Sequence, residues 1–344
     1  MSAAASPRVR PVLFWTALSA LLLATLLASL AAGRYAVPLQ HVATILAAPV
    51  LDVAPRWTPT EELVVRTIRL PRLLMAGLAG AGLALCGAVL QGIFRNPLVG
   101  PQTIGISSGA ALGGVTAILL LGFGLPVAIG VFLGAIAALL AVLAIHDGKG
   151  PSAVLTLVLA GVVVSAFCGA LVGFATYIAD PETKLPGLVF WLMGSFAAAT
   201  WPKLQLLALC TLPAGGVLLA MRWRINLLSL GDEEARTLGV HPARDRLILL
   251  GAVCLIVAAQ VAVSGAIGWV GLVIPNLCRL VLGADHRRLL PASALLGASF
   301  LMLADTFARS LTAAEIPVGI VTAIVGTPVF AGLLRRAASA RGRA

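Results

Sequence analysis

Apolar runs dominate this sequence and restrict the folds open to it. About ten stretches, each roughly 17 to 27 residues long, carry almost no charged side chain. About 20 apolar residues in a helix cross a hydrocarbon core about 30 Å thick, and a helix satisfies its own backbone hydrogen bonds where no water can do so. The sequence therefore predicts an all-α, polytopic membrane protein with about ten transmembrane helices.

Hydropathy indicates one transmembrane domain over residues 1–344. The first run, Val12 to Ala32, exceeds the apolar part of a signal peptide, so we expect a retained helix, although the small residues that end it leave cleavage open. The segment 185–199 is too short to cross and suits a re-entrant or interfacial helix. The predicted spans are 12–32, 73–93, 103–122, 125–145, 153–179, 204–221, 247–267, 268–284, 289–309 and 317–334.

The charge pattern fits a membrane protein better than a nucleic-acid-binding protein. Only 11% of residues are charged, against about 25% in soluble domains. The net charge is +11, but the basic residues lie in short loops between apolar runs. With the N-terminus inside, 16 of the 24 Lys and Arg fall on that side and 8 on the other. The positive-inside rule then predicts cytoplasmic termini, in a bacterial cytoplasmic membrane, with lipid rather than nucleic acid as the surrounding partner.

The cysteines and histidines predict no metal site or cofactor in this chain. Metal ligands come in clusters at characteristic spacings. Here the five cysteines lie singly within apolar runs and the four histidines are isolated from one another. We interpret the cysteines as small packing residues.

The segment Leu228 to Val240 is acidic, amphipathic and enclosed by apolar runs. Gly231 and Gly239 bracket a predicted short helix with three acids in its first turn, where the helix dipole favours negative charge. A polytopic protein needs such a loop if a soluble partner pushes on it from outside the bilayer. The pattern indicates a transporter driven by a separate motor subunit, with a plain solvated turn as the alternative.

Two further regions carry motifs. One joins Arg69-Leu-Pro-Arg72 to Gly87–Pro101 and Ile104–Ala111. The other comprises Gly265–Asn276, Asp285–Pro291, Leu303–Arg309, Glu315–Gly319 and Gly326–Phe330. Together with the acidic loop, and over about residues 11–336, they resemble the FecCD/BtuC family, the permease subunits of type II ABC importers for iron-siderophores, haem and vitamin B12.

The resemblance implies a BtuC-like fold, a homodimer with a second copy (a paired paralogue stays open), and two cytoplasmic ABC ATPase subunits. The chain has no GxxxxGK[ST] phosphate loop. ATP and Mg are therefore expected on the partner ATPase, and the chain is expected to be a transport subunit, not an enzyme. The resemblance makes the acidic loop the ATPase coupling loop, with Gly231, Asp232, Glu233, Glu234, Ala235, Arg236, Leu238 and Gly239 as its site residues.

The resemblance also implies a docking site for a periplasmic or extracellular substrate-binding protein. Arg69, Arg72 and Arg309 match arginines that receive its glutamates, and arginine binds carboxylates bidentately. Ordinary interfacial snorkelling is the alternative for Arg69 and Arg72, and a main pairing with Asp305, one turn back, is the alternative for Arg309.

Family analogy places the pathway and its gates at two segments. The interfacial segment with Trp191 and Met193 is expected at the outer mouth, and Pro151 and Ser152 at the cytoplasmic gate. Iron-siderophore or haem is the first expected cargo, vitamin B12 or another corrinoid the second, and a small oxyanion such as molybdate a distant third. An ion-coupled secondary transporter is the remaining alternative, disfavoured by the scarcity of acidic residues within the spans.

Glycine pairs four residues apart predict close helix packing. Gly109/Gly113, Gly130/Gly134 and Gly169/Gly173 have the small-xxx-small spacing that brings helices together in lipid. We expect all three pairs to pack helices within one chain.

Overall fold

The computed structural model describes residues 11–33, 35–48, 57–146, 153–312 and 314–341, and these ranges contain helices and connecting loops without a strand. In chain order the helices are α1 (Pro11–Ala31), α2 (Leu39–Ala47), α3 (Pro59–Leu63), α4 (Leu70–Ile93), α5 (Ile106–Leu121), α6 (Leu125–Ile145), α7 (Ala153–Ile178), α8 (Leu185–Leu192), α9 (Trp201–Ala220), α10 (Arg222–Leu230), α11 (Asp232–Thr237), α12 (Pro242–Ser264), α13 (Val270–Leu282), α14 (His286–Ser310) and α15 (Val318–Arg341).

Eight helical segments among the described residues are long and apolar enough to cross a membrane. Two of the ten predicted spans correspond instead to the shorter apolar helices α5 and α13. At 13 residues, α13 is about 20 Å long, less than the thickness of a hydrocarbon core. The connections beside α5 and α13 therefore place irregular backbone within the thickness of the membrane. Such backbone is tolerated where protein buries it.

The second predicted span begins too late. The helical run starts at Pro59 and continues to Ile93, because a π-helical turn, Val64–Arg69, joins α3 to α4. Hydropathy misses the first turns because Glu61, Glu62 and Arg66 lower the average there. Thr58 marks the true start, since its hydroxyl accepts a hydrogen bond from the Glu61 amide and the Glu61 carboxylate accepts one from the Thr58 amide.

Helix α4 forms the centre of the bundle, and most of its residues are buried. Its glycines allow neighbours to approach to backbone contact. A β-carbon on Gly80 would overlap the Gly297 carbonyl of α14, and one on Gly87 would overlap the Gly271 carbonyl of α13. The prediction that glycines mediate packing in lipid thus holds along this helix as well.

Two of the three predicted glycine pairs pack α5 against α6. A β-carbon on Gly113 would overlap the Gly130 carbonyl, and one on Gly134 would overlap the Gly109 carbonyl. The third pair is different: a β-carbon on Gly169 or Gly173 of α7 would meet no described atom within 4 Å. The expectation that this pair packs within one chain is wrong, and α7 presents it on an open face.

A sharp junction separates α12 from α13. Helix α12 ends at Ser264, three residues before the predicted end of its span, and α13 begins only at Val270. Gly265 leaves α12 with φ 70°, and Trp269 enters α13 with φ 69°. A positive φ is unusual for a bulky side chain and stores backbone strain, which concentrates at functional positions.

Candidate functional site

The acidic loop folds into the short helix that the sequence indicates. Helix α11 spans Asp232–Thr237, with all its acidic residues in the first turn. Gly231 precedes it at φ 146°, and Gly239 follows it at φ 80°, both positions that favour glycine. The Glu234 side chain lies over Gly231, where a β-carbon would overlap its carboxylate. These two glycines therefore set the bounds of the loop.

One side of α11 is exposed and the other is attached to the bundle. Glu233, Glu234, Arg236 and Leu238 are exposed, Leu238 by 55%. Ala235 is fully buried on the opposite side, and Val240 is buried just beyond the helix. A charged rim around an exposed leucine is a surface suited to a soluble protein partner.

Asp232 belongs to the attached side. Its carboxylate accepts two hydrogen bonds from the Arg246 guanidinium of α12, at 2.7 and 2.5 Å. These hydrogen bonds, with the positive charges of Arg246, Arg95 and Arg236, hold the pKa of Asp232 below its usual range. Of the predicted coupling residues, Asp232 therefore anchors the loop, whereas its exposed neighbours face outward.

Sequence reasoning missed the residues that hold this loop. Arg246 is buried although it is a charged residue near the end of a span, and Arg224 pairs with the buried Asp245 at 3.0 Å. Arg95 lies beside Gly231 with φ 52°, and so joins the α4–α5 connection to the same cluster. The many charged residues between positions 222 and 246 were the sequence signal that could have identified them.

The three predicted docking arginines lie together near the end of α1, but their guanidiniums are engaged within the chain. Arg69 is 5% exposed and donates to the carbonyls of Leu30, Ala31 and Tyr35. Arg309 donates to the carbonyls of Ser29 and Ala32. Both arginines thus satisfy carbonyls that the end of α1 leaves without helical partners. The alternative that Arg69 snorkels freely at the interface is therefore wrong.

Arg72, not Arg309, is the main partner of Asp305. The Arg72 guanidinium donates three hydrogen bonds of 2.9–3.1 Å to Asp305 and two of 2.9 and 3.1 Å to Glu315. Arg309 approaches Asp305 only to 3.9 Å. The alternative that Arg309 pairs mainly with Asp305 is therefore wrong. Sequence reasoning also missed Glu315, whose side chain is 30% exposed and completes the cluster.

The predicted outer-mouth residues lie at the end of α8, where three helices meet. The Trp191 ring packs against Gly114 of α5, and the Trp191 carbonyl lies against Gly265 at the end of α12. The Met193 carbonyl lies against Gly319 of α15, close enough to exclude a β-carbon. Trp191 and Met193 are both partly buried.

Two grooves flank α8. One of about 790 Å³ is lined from α6, α8, α9 and α12 and includes Trp191 and Lys203. The other, of about 670 Å³, lies between α5, α7 and the turn at Asp180–Lys184. Both linings are mainly apolar with a few polar groups, a composition typical of sites for bulky organic ligands. Pro151 and Ser152 lie outside the described residues.

Comparison with known proteins agrees with this architecture. The model of the FecCD transport family matches residues 21–336. The molybdate import permease MolB of Haemophilus influenzae is 45% identical over 321 residues, which cover 92% of this chain and 94% of that protein. The cobalamin import permease BtuC of Halobacterium salinarum is 44% identical over 280 residues, covering 80% and 74%. A probable iron chelatin permease of Helicobacter pylori is 46% identical over 292 residues, covering 83% and 88%.

A solved structure matches the fold. An ABC transporter in an inward-facing conformation superposes with a TM-score of 0.84 and 43% identity, over 95% of this chain and 99% of that chain. The apolar helices and this likeness define a membrane-embedded transport subunit. The chain belongs to the FecCD transport family. It is an integral membrane protein and a permease of a type II ABC importer, as the sequence resemblance implied.

Proposed function

We propose that this permease moves its cargo by alternating access, driven by two cytoplasmic ABC ATPase subunits that bind the coupling loop at residues 229–240. This proposal rests on the exposed acidic helix α11, which lies at the base of an otherwise apolar bundle. The ion pair between Asp232 and Arg246 attaches α11 to that bundle. ATP and Mg bind to the partner, and this chain contributes no catalytic residue.

The proposal includes the full topology. Ten helices cross or enter the bilayer of the bacterial cytoplasmic membrane as a single domain over 1–344, with α5 and α13 as the short members. Both termini are cytoplasmic, in line with the distribution of Lys and Arg. This orientation places α11 inside and α8, with the three arginines, outside.

The proposed assembly is a homodimer that uses α7. Its glycine pair, Gly169 and Gly173, presents an open face of that helix. In lipid, a pair of small residues at this spacing lets a second helix approach closely. The partner of this face is a second copy, and the pathway runs between the copies, with Trp191 and Met193 at its outer mouth and Pro151 and Ser152 at its inner gate.

The outer arginine cluster is the proposed docking site of a substrate-binding protein. Arg69, Arg72 and Arg309 outnumber Asp305 and Glu315, so the cluster keeps a net positive charge of one at neutral pH. Because the guanidiniums are engaged internally, a partner carboxylate must replace an existing contact. Glu315 is the most exposed acid of the cluster, and its contact with Arg72 is the one most readily exchanged.

The proposed cargo is a metal chelate, iron-siderophore or haem, with vitamin B12 or another corrinoid as the alternative. The mainly apolar grooves beside α8 favour a bulky ligand over a small oxyanion, which needs converging cationic or N–H donors. The similar identities to permeases named for molybdate, cobalamin and iron chelatin do not rank these cargoes. Calorimetry on the cognate binding protein with a ferric siderophore, haemin, cobalamin and molybdate decides among them.

The test of the motor assignment is a charge reversal at the exposed side of α11. Arg236→Glu should reduce co-purification of the ATPase subunit at least about tenfold, because interface charges set partner recognition. Arg288→Glu, at an exposed arginine in the first turn of α14, is the matched control and should bind normally. Equal ATPase recovery from both variants would remove α11 from the motor interface.

A further inference from the structure

Helix α12 connects the coupling loop with the outer mouth. Arg246, the fifth residue of this helix, binds Asp232 of α11 through its guanidinium. Its last residue, Ser264, accepts a hydrogen bond of 2.7 Å from the amide of Ser195, just beyond α8. At 23 residues, α12 is about 34 Å long, so a single element reaches from one site to the other.

The composition of α12 suits it to carry a movement without bending. Helices α9, α13, α14 and α15 each contain an internal proline, which breaks a backbone hydrogen bond and favours a kink. In α12 the only proline is Pro242, at the first helical position, where it is tolerated. Displacement of the inner end is therefore passed to the outer end rather than absorbed midway.

The outer end of α12 opens into a junction with several contacts. Gly265 lies against the Trp191 carbonyl, and the Gly268 position lies against the side chain of Gln102. Trp269 packs edge-on against Phe330 of α15, with ring centroids 6.4 Å apart. The junction 265–269 thus contacts α8, the loop before α5, and α15, and it contains the strained Trp269. Backbone strain of this kind clusters at functional sites and switch regions.

We propose that α12 relays the movement of the coupling loop to the end of α8, with Arg246 as the positioning residue at its inner end. The inference rests on the proposed ATPase coupling through α11. The ion pair between Asp232 and Arg246 couples the two helices, so α12 moves when the partner displaces α11. At the other end of α12, Ser264 and Gly265 then shift the Trp191–Ser195 segment. Without that ion pair α11 moves and the outer mouth does not.

The test measures both ends in the assembled transporter in lipid nanodiscs. Ala197→Cys, exposed on the segment after α8, reports the outer end through its reaction rate with a membrane-impermeant maleimide. Leu238→Cys reports contact of the ATPase with α11. The parent chain without an added cysteine measures the background labelling, because Cys86, Cys168, Cys254 and Cys278 are buried but Cys210 is partly exposed.

With Arg246 intact, the labelling rate of Ala197→Cys should differ about tenfold between the nucleotide-free and the ATP-vanadate states, and Leu238→Cys should be protected by the ATPase. Adding Arg246→Met should bring the rate ratio at position 197 close to one while protection at position 238 persists. Arg246→Lys, which keeps the charge, should retain most of the ratio. Arg244→Met, an exposed neighbour on α12, is the matched control and should retain all of it.

Three outcomes overturn the relay. A normal rate ratio at position 197 in Arg246→Met shows that movement reaches α8 without the ion pair. With Arg246 intact, the labelling rate at position 197 could be the same in both nucleotide states while position 238 is protected. That result shows that the outer end does not respond although the motor assignment stands. Loss of protection in Arg246→Met shows that the residue only shapes the ATPase surface. Absence of protection at position 238 with Arg246 intact refutes the motor assignment itself.

Discussion

Removing Arg72 should be among the most damaging single substitutions outside the glycine contacts. The side chain of Asp305 is 3% exposed, and Arg72 gives it three hydrogen bonds. Arg72→Leu leaves that carboxylate buried, with Arg309 at 3.9 Å as its nearest cation. Breaking a buried ion pair in this way costs about 3–5 kcal/mol. At about 2 °C per kcal/mol, the lower end of the range for large domains, Tm should fall by about 6–10 °C.

Two comparison variants separate the buried pair from the exposed one. Glu315→Gln removes a partner that is 30% exposed, so the cost should stay at about 1 kcal/mol or less, or about 2 °C. Glu62→Gln, which disrupts the half-exposed pair with Arg66, is the matched control with a similarly small effect. The double variant Arg72→Leu/Asp305→Leu should recover at least half of the loss, because no unpaired charge remains.

The assay is thermal unfolding of the purified chain in one detergent, followed by tryptophan fluorescence at a fixed heating rate, since unfolding of membrane proteins is often irreversible and depends on scan rate. A loss below about 2 °C for Arg72→Leu, or a double variant no more stable than the single one, would refute the reasoning. Either result would mean that Asp305 gains its stability from somewhere other than Arg72.

Three further predictions concern packing, the junction and the coupling loop. Gly113→Val should destabilise the isolated chain by about 2 kcal/mol or more, because its β-carbon overlaps the Gly130 carbonyl, whereas Gly173→Val should leave chain stability unchanged and weaken dimerisation measured by single-molecule photobleaching in vesicles. A dimer unaffected by Gly173→Val would place the interface elsewhere. Trp269→Gly should relieve the strain at φ 69° yet lower nucleotide-dependent labelling of Ala197→Cys severalfold, because the contact with Phe330 is lost; unchanged labelling would show that the ring has no part in the junction. Because the pKa of Asp232 is depressed, the stability from its pair with Arg246 is complete above its ordinary value of 3.8 and disappears as pH falls through the lower folded value. Hydrogen-exchange protection of α11, corrected for the intrinsic pH dependence, should therefore stay constant from about pH 8 to about pH 5, and a loss near pH 6 would contradict the assignment.

Helix positions could be predicted from the sequence largely because each span is a local property. An apolar run crosses or enters the membrane whatever lies beside it, so the runs around α6, α9 and α14 needed no tertiary information. The start at Pro59 was missed because a charged, half-buried turn lowers hydropathy while still being helical. Its signal was present in the capping pattern from Thr58 to Glu61.

The partners of the charged residues could not be predicted in this way. Arg72 and Asp305 are separated by 233 positions, and only the packing of α4 against α14 brings them together. Arg69 and Arg309 bind backbone carbonyls at the end of α1, which no side-chain motif encodes. Asp232 was predicted to contact the partner, and its attachment to Arg246 is seen only when the direction of its side chain is known. A pattern of apolar spans does not show which residues far apart in the sequence form pairs.

Uptake into proteoliposomes tests the central claim most directly. The permease is reconstituted either alone or with its ATPase subunits. The complete system has ATP inside the vesicles and, outside them, the binding protein with the cargo identified by calorimetry. We expect accumulation against a gradient only in the complete system, and its loss when Arg236→Glu prevents binding of the ATPase to α11. Uphill accumulation by the permease alone under an ion gradient, or full transport by the variant complex, would contradict the account.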